Sequence, residues 1–176
     1  MKEEFFALTD RLQRELAAGE TLLCSLDAER SDFVRFNRGR VRQAGSVGQR
    51  FLSVRLVRER RQAAATVTLG GDGDDWELAR GALARLREEL AQLPEDPWLL
   101  VAERPVSTET VRRGRLAAPE ELVQQVVAGA AGRDLVGFLA SGTIYRGFAN
   151  SFGQRNWHEV DGFNLDWSLF LDDGKA

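Results

Sequence analysis

The apolar positions change period several times along the chain. In "KEEFFALTDRLQREL", Phe5, Leu8, Leu12 and Leu16, with Ala7 nearby, recur at helical spacing, and Gly19 is a stop signal. "TLLCSLD" then reads as a strand. "SDFVRFN" alternates, with Phe33 and Arg35 on one face and Val34 and Phe36 on the other. "NRG" is a hairpin signal, because Asn and Gly tolerate positive φ. "RVRQAG" and "QRFLSVRLV" read as two further strands, and a turn at 58–62 leads into "AAATVTL". These pieces form an antiparallel meander.

"GGDGDD" is a turn, with Asp72 or Asp74 placed to cap the next helix. Its spacing does not continue to the glutamate that a calcium loop needs. The helix is "DDWELARGALARLREELAQL", with a stripe of Trp76, Leu83, Leu86 and Leu90. "PEDP" ends it. Periodicity then weakens from Pro94 to Pro119, apart from a short strand expected in "WLLVAE". "PEELVQQVVAGAA" gives a helix with Pro119 in its first turn. "DLVGFLA", "TIYRGFA", "QRNWHEV" and "FNLDWSLFL" read as strands. The expected class is α+β, antiparallel sheets with packed helices. The expected organisation is a helix, sheet and helix unit at 1–93, a linker at 94–118, and a second helix-plus-strands unit at 119–176.

One phrase occurs twice, "SVGQR" at 46–50 and "SFGQR" at 151–155. Each follows an Asp-x-Val-x-Phe run, at Asp32, Val34 and Phe36 and at Asp134, Val136 and Phe138. On this reading both phrases are tight connections. Gly48 and Gly153 supply an unusual backbone conformation, and Ser46 and Ser151 bond locally. The two halves then admit an internal helix-plus-sheet duplication.

Composition narrows the function classes. The 176 residues are 43% hydrophobic and 29% charged, with a net charge of -3. No apolar run approaches the roughly 20 residues of a membrane span. The N-terminus is acidic where a signal peptide is basic, so a cytoplasmic protein is expected. Cys24, the lone cysteine, sits in an apolar run and reads as a buried thiol. Lysine appears only at 2 and 175, and arginines gather from Arg30 to Arg61, with Arg38, Arg40 and Arg42 at alternate positions. Such a face can hold phosphates or stand solvated. No aromatic pattern accompanies it, which weighs against nucleic acid.

Candidate chemistry is sparse. His158 is the one histidine, so His158-Glu159 has no second imidazole for a zinc site. Ser46, Ser141 and Ser151 have only that imidazole as a base, and nothing in the spacing pairs them. Asp72 with Asp74, Glu88 with Glu89, and Asp172 with Asp173 read as solvated carboxylates. No catalytic or metal residue is therefore assigned.

The stretch 35–57 resembles the N-terminal signature of the TldD/PmbA family, through Arg35, Phe36, Asn37, Val41, Gln43 and the pair Val54-Arg55. "WELARGALARLREEL" resembles the Ala-rich helix that follows there, and Asn150, Ser151 and Gly153 match an Asn-Ser-x-Gly phrase. The resemblance implies a cytosolic protein roughly twice this length or more. Many members are zinc-dependent peptidases acting on small or unfolded peptides. They pair as homo- or heterodimers, and the family is also named for modulation of DNA gyrase. The family's His-Glu-x-x-x-His motif lies beyond the matched region, so zinc is expected outside this chain. The sequence stops at Ala176 in what reads as a hairpin cut short, so an N-terminal domain or a truncated relative is expected. The leading expectation is a non-catalytic part of such a peptidase, contributing to peptide binding and dimerisation. A nucleic-acid or anionic-ligand module built on residues 30–61 is the alternative, and a hydrolase using Ser151 or Cys24 comes last.

Overall fold

A computed structural model describes residues 1–171, so Asp172 and Asp173 lie outside the described residues. The elements are α1 (Lys2–Arg14), β1 (Thr21–Asn37), β2 (Arg40–Arg58), β3 (Arg61–Thr68), α2 (Asp75–Leu90), β4 (Thr108–Arg112), α3 (Pro119–Ala130), β5 (Asp134–Asn150) and β6 (Arg155–Phe170). The strands form one sheet in the order β3-β2-β1-β5-β6-β4. The class is α+β, as the sequence indicates.

Several expected strands merge. "TLLCSLD" and "SDFVRFN" are one strand, β1, and "RVRQAG" continues through "SVGQR" into "QRFLSVRLV" as β2. In the same way "DLVGFLA" and "TIYRGFA" make β5, and "QRNWHEV" and "FNLDWSLFL" make β6. The polar breaks are absorbed because long strands lie side by side and satisfy each other's backbone. The β1–β2 turn places Arg38 and Gly39 at φ 52° and 65°, the two-residue hairpin geometry. Asn37 ends β1 instead of entering the turn. "WLLVAE" forms no strand. The connection expected at 94–118 contains β4.

The repeated phrase does not mark equivalent places. Ser46 and Gly48 lie inside β2, whereas Ser151 and Gly153 form the β5–β6 turn, with Gly153 at φ 90°. The Asp-x-Val-x-Phe matches are also out of phase. Val34 and Phe36 are buried, while Val136 is exposed and its neighbours Leu135 and Leu139 are buried instead. What recurs is the order helix, long strand, turn, long strand.

The chain packs as two compact units. One contains residues 1–28, 49–111 and 145–158, and the other 29–48, 112–144 and from 159 onward. The units interleave because β1, β2, β5 and β6 each contribute to both, so neither coincides with the consecutive segments 1–93 and 119–176.

In the first unit the even positions Leu22, Cys24, Leu26 and Ala28 of β1 and Leu52, Val54 and Leu56 of β2 enter one core. Phe5, Leu8 and Leu12 of α1 and Leu83, Leu86 and Leu90 of α2 join them. Each such large side chain contributes about 1.5–3 kcal/mol of burial. A part-buried ion pair ties α2 to the α1–β1 connection. Arg87 donates from Nε to Glu20 Oε1 (2.8 Å) and from Nη2 to Glu20 Oε2 (2.8 Å). The Ala17 amide donates to the same carboxylate at 2.8 Å. The hydrogen bond from Arg87 chiefly holds the Glu20 carboxyl below its ordinary 4.5, against the desolvation that would raise it.

In the second unit α3 lies over Val34 and Phe36 of β1 and Leu135 and Leu139 of β5, with Leu165 and Leu169 of β6 at the margin. On β5, Gly142 meets the β1 backbone. A Cβ there would overlap the Arg30 carbonyl oxygen and Ser31 Cα, so only glycine lets the strands close.

Two outcomes follow for stability. Gly142→Ala is expected to lose about 1–3 kcal/mol in urea unfolding through overpacking. Glu20→Gln is expected to lose about 1.5–3 kcal/mol near neutral pH, the range for a charge-assisted bond. Because the folded carboxyl titrates below the unfolded one, its contribution is complete above the unfolded pKa and fades as pH falls through the folded value. Denaturation curves of wild type and variant should therefore converge as pH drops below the ordinary value of 4.5. A gap that is constant with pH would contradict this assignment.

Candidate functional site

The residues that carry chemistry do not gather. Cys24 is 1% exposed in the first core, and desolvation pushes its thiol up to about 12, so it is no nucleophile near neutrality. Ser46 Oγ donates to Asp32 Oδ1 at 2.5 Å, in the second unit. Ser141 is buried in β5. His158 is exposed on β6, and its neighbour Glu159 is buried and ion-paired with Arg113. Glu88 and Glu89 lie on the exposed face of α2. Among the described residues no group of three or more His, Cys, Asp or Glu side chains is placed to hold a metal ion.

The acidic loop before α2 is a backbone device, though not the cap expected from the sequence. Asp74 occupies the N-cap position without a side-chain bond. Asp75 reaches back instead, accepting from the amides of Gly70 (2.7 Å) and Gly71 (3.0 Å), while Asp72 Oδ1 accepts from the Asp74 amide. These bonds occupy carboxylates that spacing alone leaves solvated.

The Asn-Ser-x-Gly phrase is likewise structural. Asn150 is buried, and its Oδ1 accepts from the amides of Phe152 (3.1 Å) and Gln154 (3.0 Å). Ser151 does not bond within its own turn. Its amide donates to the Leu22 carbonyl (3.0 Å) and its Oγ accepts from the Leu22 amide (3.2 Å), fixing the turn to the start of β1.

What the second unit offers is open backbone. β3 pairs with β2 from Phe51 to Arg58, and one further bond joins the Leu69 amide to the Arg50 carbonyl. Among the described residues no strand lies outside β2 from Arg40 to Gly48. On the other side, Arg155 and Asn156 bond to Ser107 and Thr108. Further along, the Gly114 amide donates to Asp161 Oδ2 at 3.2 Å. Contacts that advance together mark β4 as parallel to β6. Asp161 also accepts from Thr143 Oγ1 at 2.8 Å, and Arg113 bridges Asp161 and Glu159. β4 ends at Arg112, so β6 has no outer strand from Gly162 to Phe170 among the described residues. The unit is thus a sheet with α3 on one face and two unpaired edges.

Beside the β6 edge, α3 and β6 enclose an apolar groove of about 400 Å³, with Leu122 and Val126 on one wall and Phe163, Leu165 and Trp167 on the other. Phe163 is 64% exposed and Trp167 58%. Beside the β2 edge, Asn37, Arg38, Arg40, Val41 and Arg42 line a second hollow. On the face away from α3, Phe33 stacks on Phe138 with centroids 5.9 Å apart. Exposed strand edges open to an extended peptide are expected from the sequence, but nothing in it places either one. Their signal is the length mismatch, since β2 has 19 residues and its outer partner β3 only 8.

The fold is TldD/PmbA-like. TldE from Thermococcus kodakarensis superimposes with a TM-score of 0.68 at 15% identity, over 95% of this chain and 43% of that one. A protein described as a candidate modulator of DNA gyrase from Thermotoga maritima gives 0.62 at 14% identity, over 94% and 43%. A similarly described protein from Bacteroides thetaiotaomicron gives 0.62 at 12%, over 97% and 41%. The chain spans less than half the length of each of these proteins. No family model matches the sequence, and no curated protein matches it.

If the Asn-Ser-x-Gly turn is architectural, Asn150→Ala should cost about 1–3 kcal/mol by leaving two amides without their partner. Thermal or urea unfolding measures this directly. An unchanged midpoint would show that the turn does not depend on the side chain.

Proposed function

We propose that this chain serves as a non-catalytic N-terminal part of a TldD/PmbA-type metallopeptidase, in the cytoplasm, binding extended peptide and contributing to a dimer interface. The observation that carries the reading is the pair of open strand edges in the second unit, one of them beside an apolar groove. An unpaired edge presents alternating amides and carbonyls, and an extended peptide satisfies them by adding as a strand. Side-chain contacts such as Phe163 and Trp167 then add affinity without requiring one sequence. Peptide hydrolysis would be performed by other residues than these. The donor set here does not fit a peptidase zinc, because the sequence has one histidine and Glu159 beside it is engaged by Arg113.

A second reading, an anionic-ligand or nucleic-acid module, is favoured by one observation, the hollow formed by Arg38, Arg40 and Arg42. It requires affinity for DNA or RNA that falls steeply with salt.

Fluorescence anisotropy with a labelled ten-residue extended peptide tests the first reading. Binding is expected in the micromolar range, weakened about tenfold or more when alternate amides of the peptide are N-methylated. Equal binding of the methylated peptide would rule out strand addition.

A further inference from the structure

The arginine hollow and the open β2 edge belong to the same stretch of chain. Arg38 stands in the two-residue turn, and Arg40 and Arg42 occupy the first and third positions of β2. All three line one hollow of about 470 Å³ with Asn37 and Val41, and no carboxylate of the described residues lines it. None of the three makes an ion pair among the described residues, whereas Arg61, Arg87, Arg113 and Arg155 each reach a carboxylate. Three guanidinium groups left together without counter-charge repel one another, and an anion between them relieves that repulsion.

From this we infer that the Arg40–Gly48 edge selects extended peptides carrying acidic side chains at alternate positions. The inference rests on the strand-addition reading and adds the substrate class to it. Side chains two apart on a strand lie on one face, about 6–7 Å from each other. A strand laid against β2 has the same repeat, so its i and i+2 side chains meet Arg40 and Arg42, as opposite charges do across paired strands. Arg38 at the tip extends the field by one further position. A peptide fits better than a nucleic acid, because the edge amides and carbonyls are matched by another backbone. No aromatic ring lines the hollow to stack a base.

The test compares three peptides of equal length by anisotropy. The first has Asp at alternate positions in a Thr/Val background, the second has Asn at those positions, and the third has the same Asp content in one block. The alternating acidic peptide is expected to bind about tenfold tighter than the Asn peptide at low salt, and the advantage should shrink as screening shortens toward about 8 Å at physiological ionic strength. Arg40→Gln with Arg42→Gln, both exposed, should erase the preference without lowering the melting temperature. Equal binding of the acidic and Asn peptides overturns the selectivity and leaves strand addition standing. Equal binding of the block and alternating peptides overturns the positional match. Absence of binding by every peptide overturns both readings. Displacement of the acidic peptide by stoichiometric single-stranded oligonucleotide overturns the inference in favour of a phosphate site.

Discussion

The pairing of β1 with β5 is the contact on which the sheet depends. It joins residues more than a hundred positions apart in sequence, and it is made backbone to backbone. Ser151 exchanges bonds with Leu22 at one point, Gly147 lies against Leu26, and Gly142 closes onto Arg30 and Ser31. The partners advance in opposite senses, so the strands are antiparallel. Such a distant pairing repays its loop-closure entropy only when many bonds form together. This is the physical reason for strands of 16–19 residues where a typical strand has about five or six. Without that length neither α–β–β segment would have a neighbour.

Length also creates the open edges. The outer partners β3 and β4 have 8 and 5 residues, and they run beside strands more than twice as long. Among the described residues the remainder of β2 and β6 has no strand on its outer side. The short partners belong mostly to the first unit, which has two helices and the larger core, and the open edges belong to the second, which has one helix. Stability and availability for binding are thereby assigned to different residues.

The helices were legible because each is amphipathic over at least three turns and bounded by Pro or Gly. The class was legible because alternation at Leu22, Cys24 and Leu26 and at Leu52, Val54 and Leu56 is strict. Strand continuity was not. Gly48 and the "SG" between "DLVGFLA" and "TIYRGFA" read as turns locally, and only a partner strand alongside shows that the chain runs through them. The duplicated phrase misled for a related reason. Four identical residues outweighed phase, although Val34 and Val136 face opposite ways. The motif Asn150-Ser151-Gly153 was visible as a resemblance, but its reason, two captured amides and a clasp on Leu22, depends on atoms far apart in sequence. The Glu20–Arg87 pair was invisible for the same cause, with 67 positions between its members.

The two open edges differ in how they treat another copy of the same chain. The β2 edge carries like charge at its tip, so two such edges brought together repel, and arginine acts there as a gatekeeper against uncontrolled sheet growth. The β6 edge carries Phe163 and Trp167, and from Gly162 to Phe170 its one charge is Asp166. Fibrous or amorphous association at high concentration would therefore begin along β6, the edge that lacks a basic gatekeeper.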